Sequence, residues 1–310
     1  MKHYLSLFIK GIGIGSADIL PGVSGGTIAL ITGIYDELLE AIQAFDLTAV
    51  KLLRTGQFKL LWKHLHGDFL LPLSMGISLS LATAVRIVMY LLAYYPIQTW
   101  SFIGGLLAVS TCTIYQQIRQ WHLRTIFISL SGIFLVHSVT QATPLQTPNT
   151  SWFIGLSGII AVCAMLLPGI SGSFMLLLLG KYAFMLDALK NFKLDILVTF
   201  ALGGVVGLLG FSRLIAWLLR KYHDNTLALL AGFMLGSLRK IWPWKQCCTS
   251  LTPDSNSLVV AQNISPLQFQ ASCHQDPLVL QAFFWMSLGM LLVVGLEKQI
   301  RNKKRNVSTH

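Results

Sequence analysis

The sequence predicts an all-α polytopic membrane protein built from two inverted repeats, each a re-entrant helix hairpin followed by three transmembrane helices. Three observations predict it. Of 310 residues, 54% are hydrophobic and only 11% are charged, whereas soluble domains carry about 25% charged residues. Long apolar runs recur along the chain. Two of those runs are interrupted by one motif, at Leu20-Pro-Gly-Val-Ser-Gly25 and at Leu167-Pro-Gly-Ile-Ser-Gly172.

A spanning helix needs about 20 apolar residues. Six segments meet that requirement: 69–95, 98–118, 123–142, 194–220, 226–242 and 279–297. The runs at 4–44 and 151–191 are the interrupted ones. Pro removes an amide donor and Gly weakens a helix, so each motif should end one helix and start another. The flanking pieces are too short for two full spans each and suit re-entrant half-helices. The first run is not read as a cleavable signal, because it continues past Pro21 to Leu39 with no small-residue cleavage site.

The two halves match in order. After the motif, Gly33-Ile-Tyr35 matches Gly180-Lys-Tyr182, Arg86 matches Arg213, Gln98-Thr99 matches Asn225-Thr226 and Gly105 matches Gly232. The spacing between matched residues falls from 147 to 127, so the first half has a longer connector around 45–68. The expected organisation is a single membrane domain over 1–310. Repeat one is about 4–142, repeat two about 151–297, and a basic tail covers 298–310.

The net charge of +11 gathers between apolar runs. It fits cytoplasmic loops and anionic headgroups. No basic groove with interleaved aromatics is present, so nucleic acid is excluded as a partner. Lys2, Lys10, Lys51, Arg54, Lys59, Lys63, Arg119, Arg124, Arg220, Lys221 and the tail read as cytoplasmic, while 94–98, 140–152 and 246–278 read as outer. Both termini are then cytoplasmic, in an inner (cytoplasmic) membrane. Three spans separate the broken segments, so the halves are inverted. Lys181, Lys190 and Lys193, and then Arg239, Lys240 and Lys245, fall on the outer side against the charge rule. They are either tolerated or attract an anionic substrate. Cys112 and Cys163 read as packing residues, and Cys247 or Cys248 could pair with Cys273 in an outer loop.

The motifs carry the candidate chemistry. A helix beginning after Pro-Gly exposes free amides that can hold an anion. Ser24, Gly25, Gly26 and Thr27 in the first half, with Ser171, Gly172 and Ser173 in the second, are the candidate substrate-binding residues. The plainer account is a kink with a capping serine. Arg86 and Arg213 lie inside apolar runs at equivalent positions, where an arginine needs a partner. A guanidinium pair suits a phosphate; snorkelling or a carboxylate partner is the alternative. Asp18 and Glu37 are candidates for proton or sodium coupling. No catalytic triad, metal-ligand spacing or cofactor motif is present, so no cofactor is expected.

The stretch Gly15–Tyr35 resembles the opening of a bacterial and archaeal membrane family, formerly a domain of unknown function and now associated with PopT-type polyprenyl-phosphate transporters. Leu235-Gly-Ser-Leu-Arg-Lys-Ile-Trp-Pro-Trp-Lys245 and Leu166–Ser173 resemble two further hallmarks, and the resemblance covers about residues 4–297. It implies a flippase that returns undecaprenyl phosphate from the outer to the cytoplasmic leaflet for cell-envelope glycan synthesis. It also implies that the headgroup meets Ser24, Gly25, Gly26, Ser171 and Gly172. The alternatives are an undecaprenyl-pyrophosphate phosphatase, which would need a nucleophile or base beside a clamping arginine, and a small-anion carrier. The oligomeric state is left open.

Overall fold

The computed structural model describes residues 2–19, 24–142, 145, 147–246 and 263–307. The first Pro-Gly break, Cys247 and Cys248 lie outside the described residues. Every regular element described is helical, apart from an isolated bridge between Lys245 and Asn263.

The first broken run forms α1 (Lys2–Ile19), α2 (Gly25–Ile31) and α3 (Tyr35–Gln43). The connector left without structure by the sequence pattern folds into α4 (Leu47–Arg54) and α5 (Phe58–His64). Asp46 starts α4, its carboxylate accepting from the Ala49 amide at 2.9 Å. Three long helices follow: α6 (Gly67–Tyr94), α7 (Pro96–Gln117) and α8 (Leu123–Gln141). The second broken run forms α9 (Ser151–Leu166), α10 (Gly172–Leu178) and α11 (Tyr182–Lys190), with a bend of 110° between the last two. Then come α12 (Leu194–Lys221), α13 (His223–Leu238), a 3-10 turn at Arg239–Ile241, α14 (Pro266–Cys273) and α15 (Val279–Val307).

Two boundaries differ from the sequence pattern. α13 ends at Leu238 rather than near 242, because the chain tightens into the 3-10 turn and Pro243 bars a further helical turn. α15 runs on through the basic tail to Val307, a stretch of good helix formers without Gly or Pro.

Among the described residues, helices α7, α8 and α12 are each long and apolar enough to cross a membrane, and up to five spans result if the bent pairs α5–α6 and α10–α11 count as one each. Large apolar side chains such as Ile87, Phe127, Phe134, Leu202 and Leu291 point outward. That is unstable in water and natural in lipid. The helices pack in equivalent pairs, α1 along α6 and α9 along α12. The remaining pairs cross between the halves, α7 with α15 and α8 with α13. Apolar tails compete equally for apolar side chains, so close backbone approach carries much of this packing. A Cβ on Gly105 would lie 2.1 Å from the Met286 carbonyl oxygen, and one on Gly232 would lie 2.4 Å from that of Ser129.

The turns sort into two ends. Asp36, Glu40, Arg119, His122, Arg220 and Asp224 surround one cavity of about 770 Å³. At the other end Ile97 packs with Trp244, Phe269 and Ala282, and Gln98 donates to Gln281 at 2.9 Å.

Candidate functional site

The two broken segments meet in the buried centre. Helix α9 ends before Pro168, which leaves its last carbonyls without amide donors. Side chains from the first half supply them. The Ser24 hydroxyl donates to the Met165 carbonyl at 2.8 Å, and the Tyr35 hydroxyl donates to that of Leu166 at 2.8 Å. The Gly169 amide in turn donates to Thr27 Oγ1 at 3.1 Å. Gly169 holds φ +88, and a Cβ there would come within 2.8 Å of the Phe233 carbonyl oxygen. A side chain would therefore be strained and crowded at this point.

The orphan amides of α2 are taken up locally. Gly25 N–H donates to Asp18 Oδ1 at 2.7 Å, and Gly26 N–H donates to Ser24 Oγ at 3.1 Å. The start of α2 is thus met by a carboxylate of its own half. The start of α10 is not, because Met165 stands where the first half has Asp18 and sets an apolar side chain against Gly172. There Ser171 Oγ and Ser173 Oγ share a hydrogen bond of 2.8 Å, with Ser171 buried and Ser173 exposed.

Ser24, Gly25, Gly26 and Thr27 are therefore brought together with the end of α9, and Ser171, Gly172 and Ser173 lie just beyond it. Ser24, Thr27, Gly25, Gly26 and Gly172 are all buried. Arg86 on α6 and Arg213 on α12 are exposed on helix faces, and neither makes a hydrogen bond or ion pair with these loops among the described residues. Glu37 is half-buried on α3 without a partner among the described residues. Tyr35 is not among the candidate site residues read from sequence, although its match with Tyr182 in the second half was a signal.

The first of the two basic groups that break the charge rule is structurally engaged. Lys181 is buried, donates to the Thr147 carbonyl at 2.8 Å and to Asn149 Oδ1, and lies 5.6 Å from the Phe153 ring. With Leu145 N–H donating to the Leu178 carbonyl at 2.7 Å, it straps the segment after α8 onto the bend of the second hairpin. Lys193 pairs with Asp187 at 2.8 Å. Cys273 is disulfide-bonded. No group of three or more His, Cys, Asp or Glu able to hold a metal ion occurs among the described residues.

Apolar-faced helices that enclose a polar junction of broken helices are the build of a membrane transporter. Residues 14–259 match the family described as VCA0040-like, undecaprenyl phosphate translocase-like, and the chain belongs to that family. It is 44% identical over 298 residues to a polyprenyl-phosphate transporter of Vibrio cholerae, covering 96% of this chain and 97% of the relative. A polyprenyl-phosphate transporter of Staphylococcus aureus is 32% identical over 257 residues, covering 76% and 85%. No solved structure matches the chain. The protein is a multi-pass membrane transporter of this family, not an enzyme.

Proposed function

We propose that the protein carries undecaprenyl phosphate from the outer to the cytoplasmic leaflet of the inner membrane, returning the carrier for cell-envelope glycan synthesis. The observation that supports this most directly is the meeting of the two broken segments at a buried polar junction, in a family of lipid-phosphate translocases. The headgroup would cross at Ser24, Gly25, Gly26, Thr27, Ser171, Gly172 and Ser173 while the tail stays in lipid. Arg86 and Arg213 face outward at equivalent positions on α6 and α12. They would meet the phosphate from the lipid side as it enters between helices.

An inverted arrangement of the halves fits this reading. The first hairpin sends α3 toward the cavity shared by Arg119 and Arg220. The bend of the second lies under the strap after α8, whose opposite end starts beside that cavity. On this reading the two hairpins would enter from opposite faces, and the basic turns around the cavity fit a cytoplasmic end with both termini on that side. A disulfide at Cys273 fits an oxidising outer side for 246–278. Asp18, bonded to the Gly25 amide, would couple transport to protons or sodium.

The test is surface-exposed undecaprenyl phosphate in cells lacking this protein and any second transporter. The expected result is accumulation on the outer leaflet, rescued by the wild type and not by Arg86→Ala/Arg213→Ala. Unchanged surface lipid would sink the reading. Phosphate release from undecaprenyl pyrophosphate by the purified protein would do the same and favour the phosphatase.

A further inference from the structure

The junction loops leave three cations unused, Arg239, Lys240 and Lys245, all in the segment that follows α13. Lys240 Nζ lies 3.2 Å from the centroid of the Phe174 ring. Phe174 follows Ser173 in the first turn of α10, so the ammonium packs on the short helix whose start carries the Ser171–Ser173 hydroxyl pair. Lys245 Nζ backs it, donating to the Lys240 carbonyl at 2.8 Å and lying 5.8 Å from the Trp100 ring. Arg239 turns away, its Nη1 3.1 Å from His137 Nε2. The segment is held firmly: Trp242 Nε1 donates to the Ile264 carbonyl and Trp244 Nε1 to that of Pro277, both at 2.8 Å.

Lys240 and Lys245 are partly buried and side by side, and among the described residues neither has a carboxylate partner. The ion pairs described are Asp46–His64, Asp187–Lys193 and Asp224–His223. Withdrawing two like charges from water is unfavourable, and an aromatic face offsets only about 0.5–2 kcal/mol of it. An anion would complete the arrangement.

The repeat adds an independent argument. The spacing of 127 that matches Gly105 with Gly232 also matches Ser110 with Ser237, and sets Cys112-Thr113 against Arg239-Lys240. The first half thus has no counterpart of this cation, as expected of a group that serves a ligand on one side only.

We infer that Lys240, with Lys245 behind it and the Ser171 and Ser173 hydroxyls at the start of the helix it packs on, binds the phosphate monoester of the polyprenyl lipid at the end of the bundle where Ile97 and Trp244 pack. The inference rests on the lipid-phosphate reading and adds the cation that receives the headgroup on that side. A phosphate monoester carries between one and two charges at neutral pH, a match for two ammonium groups.

The experiment measures binding of undecaprenyl phosphate to the full-length protein in nanodiscs, with undecaprenol and inorganic phosphate as competitors. Lys240→Gln is expected to weaken binding about tenfold or more, the loss of one charge-assisted contact. Lys240→Arg should stay within about threefold, and Lys59→Ala, on exposed α5, should change nothing. Ser173→Ala, at an exposed position that tolerates the change, should lose about threefold and decides the matter if Lys240→Gln does not fold. Binding within twofold of wild type for every Lys240 and Ser173 variant that folds overturns this inference and leaves the lipid reading standing. A wild type that binds undecaprenol as well as the phosphate overturns both. Full competition by inorganic phosphate overturns the lipid assignment of the site in favour of a small anion.

Discussion

At the scale of single residues, Asp18 has two roles that substitution can separate. Its carboxylate satisfies the Gly25 amide, and removing it strands a donor in a half-buried place. Asp18→Ala should therefore lower stability by about 1–3 kcal/mol, read as a lower melting temperature of the detergent-solubilised protein. Asp18→Asn keeps an acceptor and removes the charge. If the charge couples transport to an ion, this variant should melt near the wild type yet lose most reconstituted lipid transport. Tyr35→Phe removes the donor to the Leu166 carbonyl from a fully buried position and should destabilise by about 1–2 kcal/mol in the same melt. Sequence made Arg86 and Arg213 visible, as charges in apolar runs, but not the direction they face. Both helices are apolar nearly all round, so no polar face orients them. Conversely, Lys240 follows the end of an apolar run, where a cation is ordinary, and only the fold brings it against Phe174.

At the scale of elements, the breaks were legible because Pro and Gly act locally. The pieces 151–166, 172–178 and 182–190 follow directly from Pro168, Gly169 and Gly180. Helices α4 and α5 were not legible, since each is about two turns long and lies in a charged connector. Their link is electrostatic. The Ala49 amide and then His64 hold the Asp46 carboxyl below its ordinary range. A depressed carboxylate contributes stability above its unfolded value and loses it as pH falls through its folded one. Hydrogen-exchange protection in 47–64, corrected for the intrinsic pH dependence of amide exchange, should therefore be unchanged between pH 7 and 5 and fall below about pH 4. Asp46→Asn should weaken that pH dependence. In the long helices, Gly105→Ala would drive a methyl into the Met286 carbonyl and part α7 from α15. A loss of about 1–3 kcal/mol is expected from overpacking, with Gly104→Ala as the benign neighbour, since its Cβ would meet nothing nearer than 3.9 Å.

At the scale of the whole molecule, the two ends make opposite predictions in a cysteine-free background. Gln57→Cys, in the α4–α5 turn, should resist a membrane-impermeant thiol reagent in intact cells. Gln275→Cys, after α14, should react. The reverse pattern would invert the topology and move Lys240 to the cytoplasmic side. The interlocked loops also set how the molecule idles. At the central junction three hydrogen bonds, from Ser24, Gly169 and Tyr35, cross between the halves. At about 0.5–1.5 kcal/mol each, these three bonds together favour the closed junction by about 1.5–4.5 kcal/mol. Cargo that favours the parted state must supply that difference on binding. A transporter built this way rests with its polar centre closed, and cargo acts as the key that opens it.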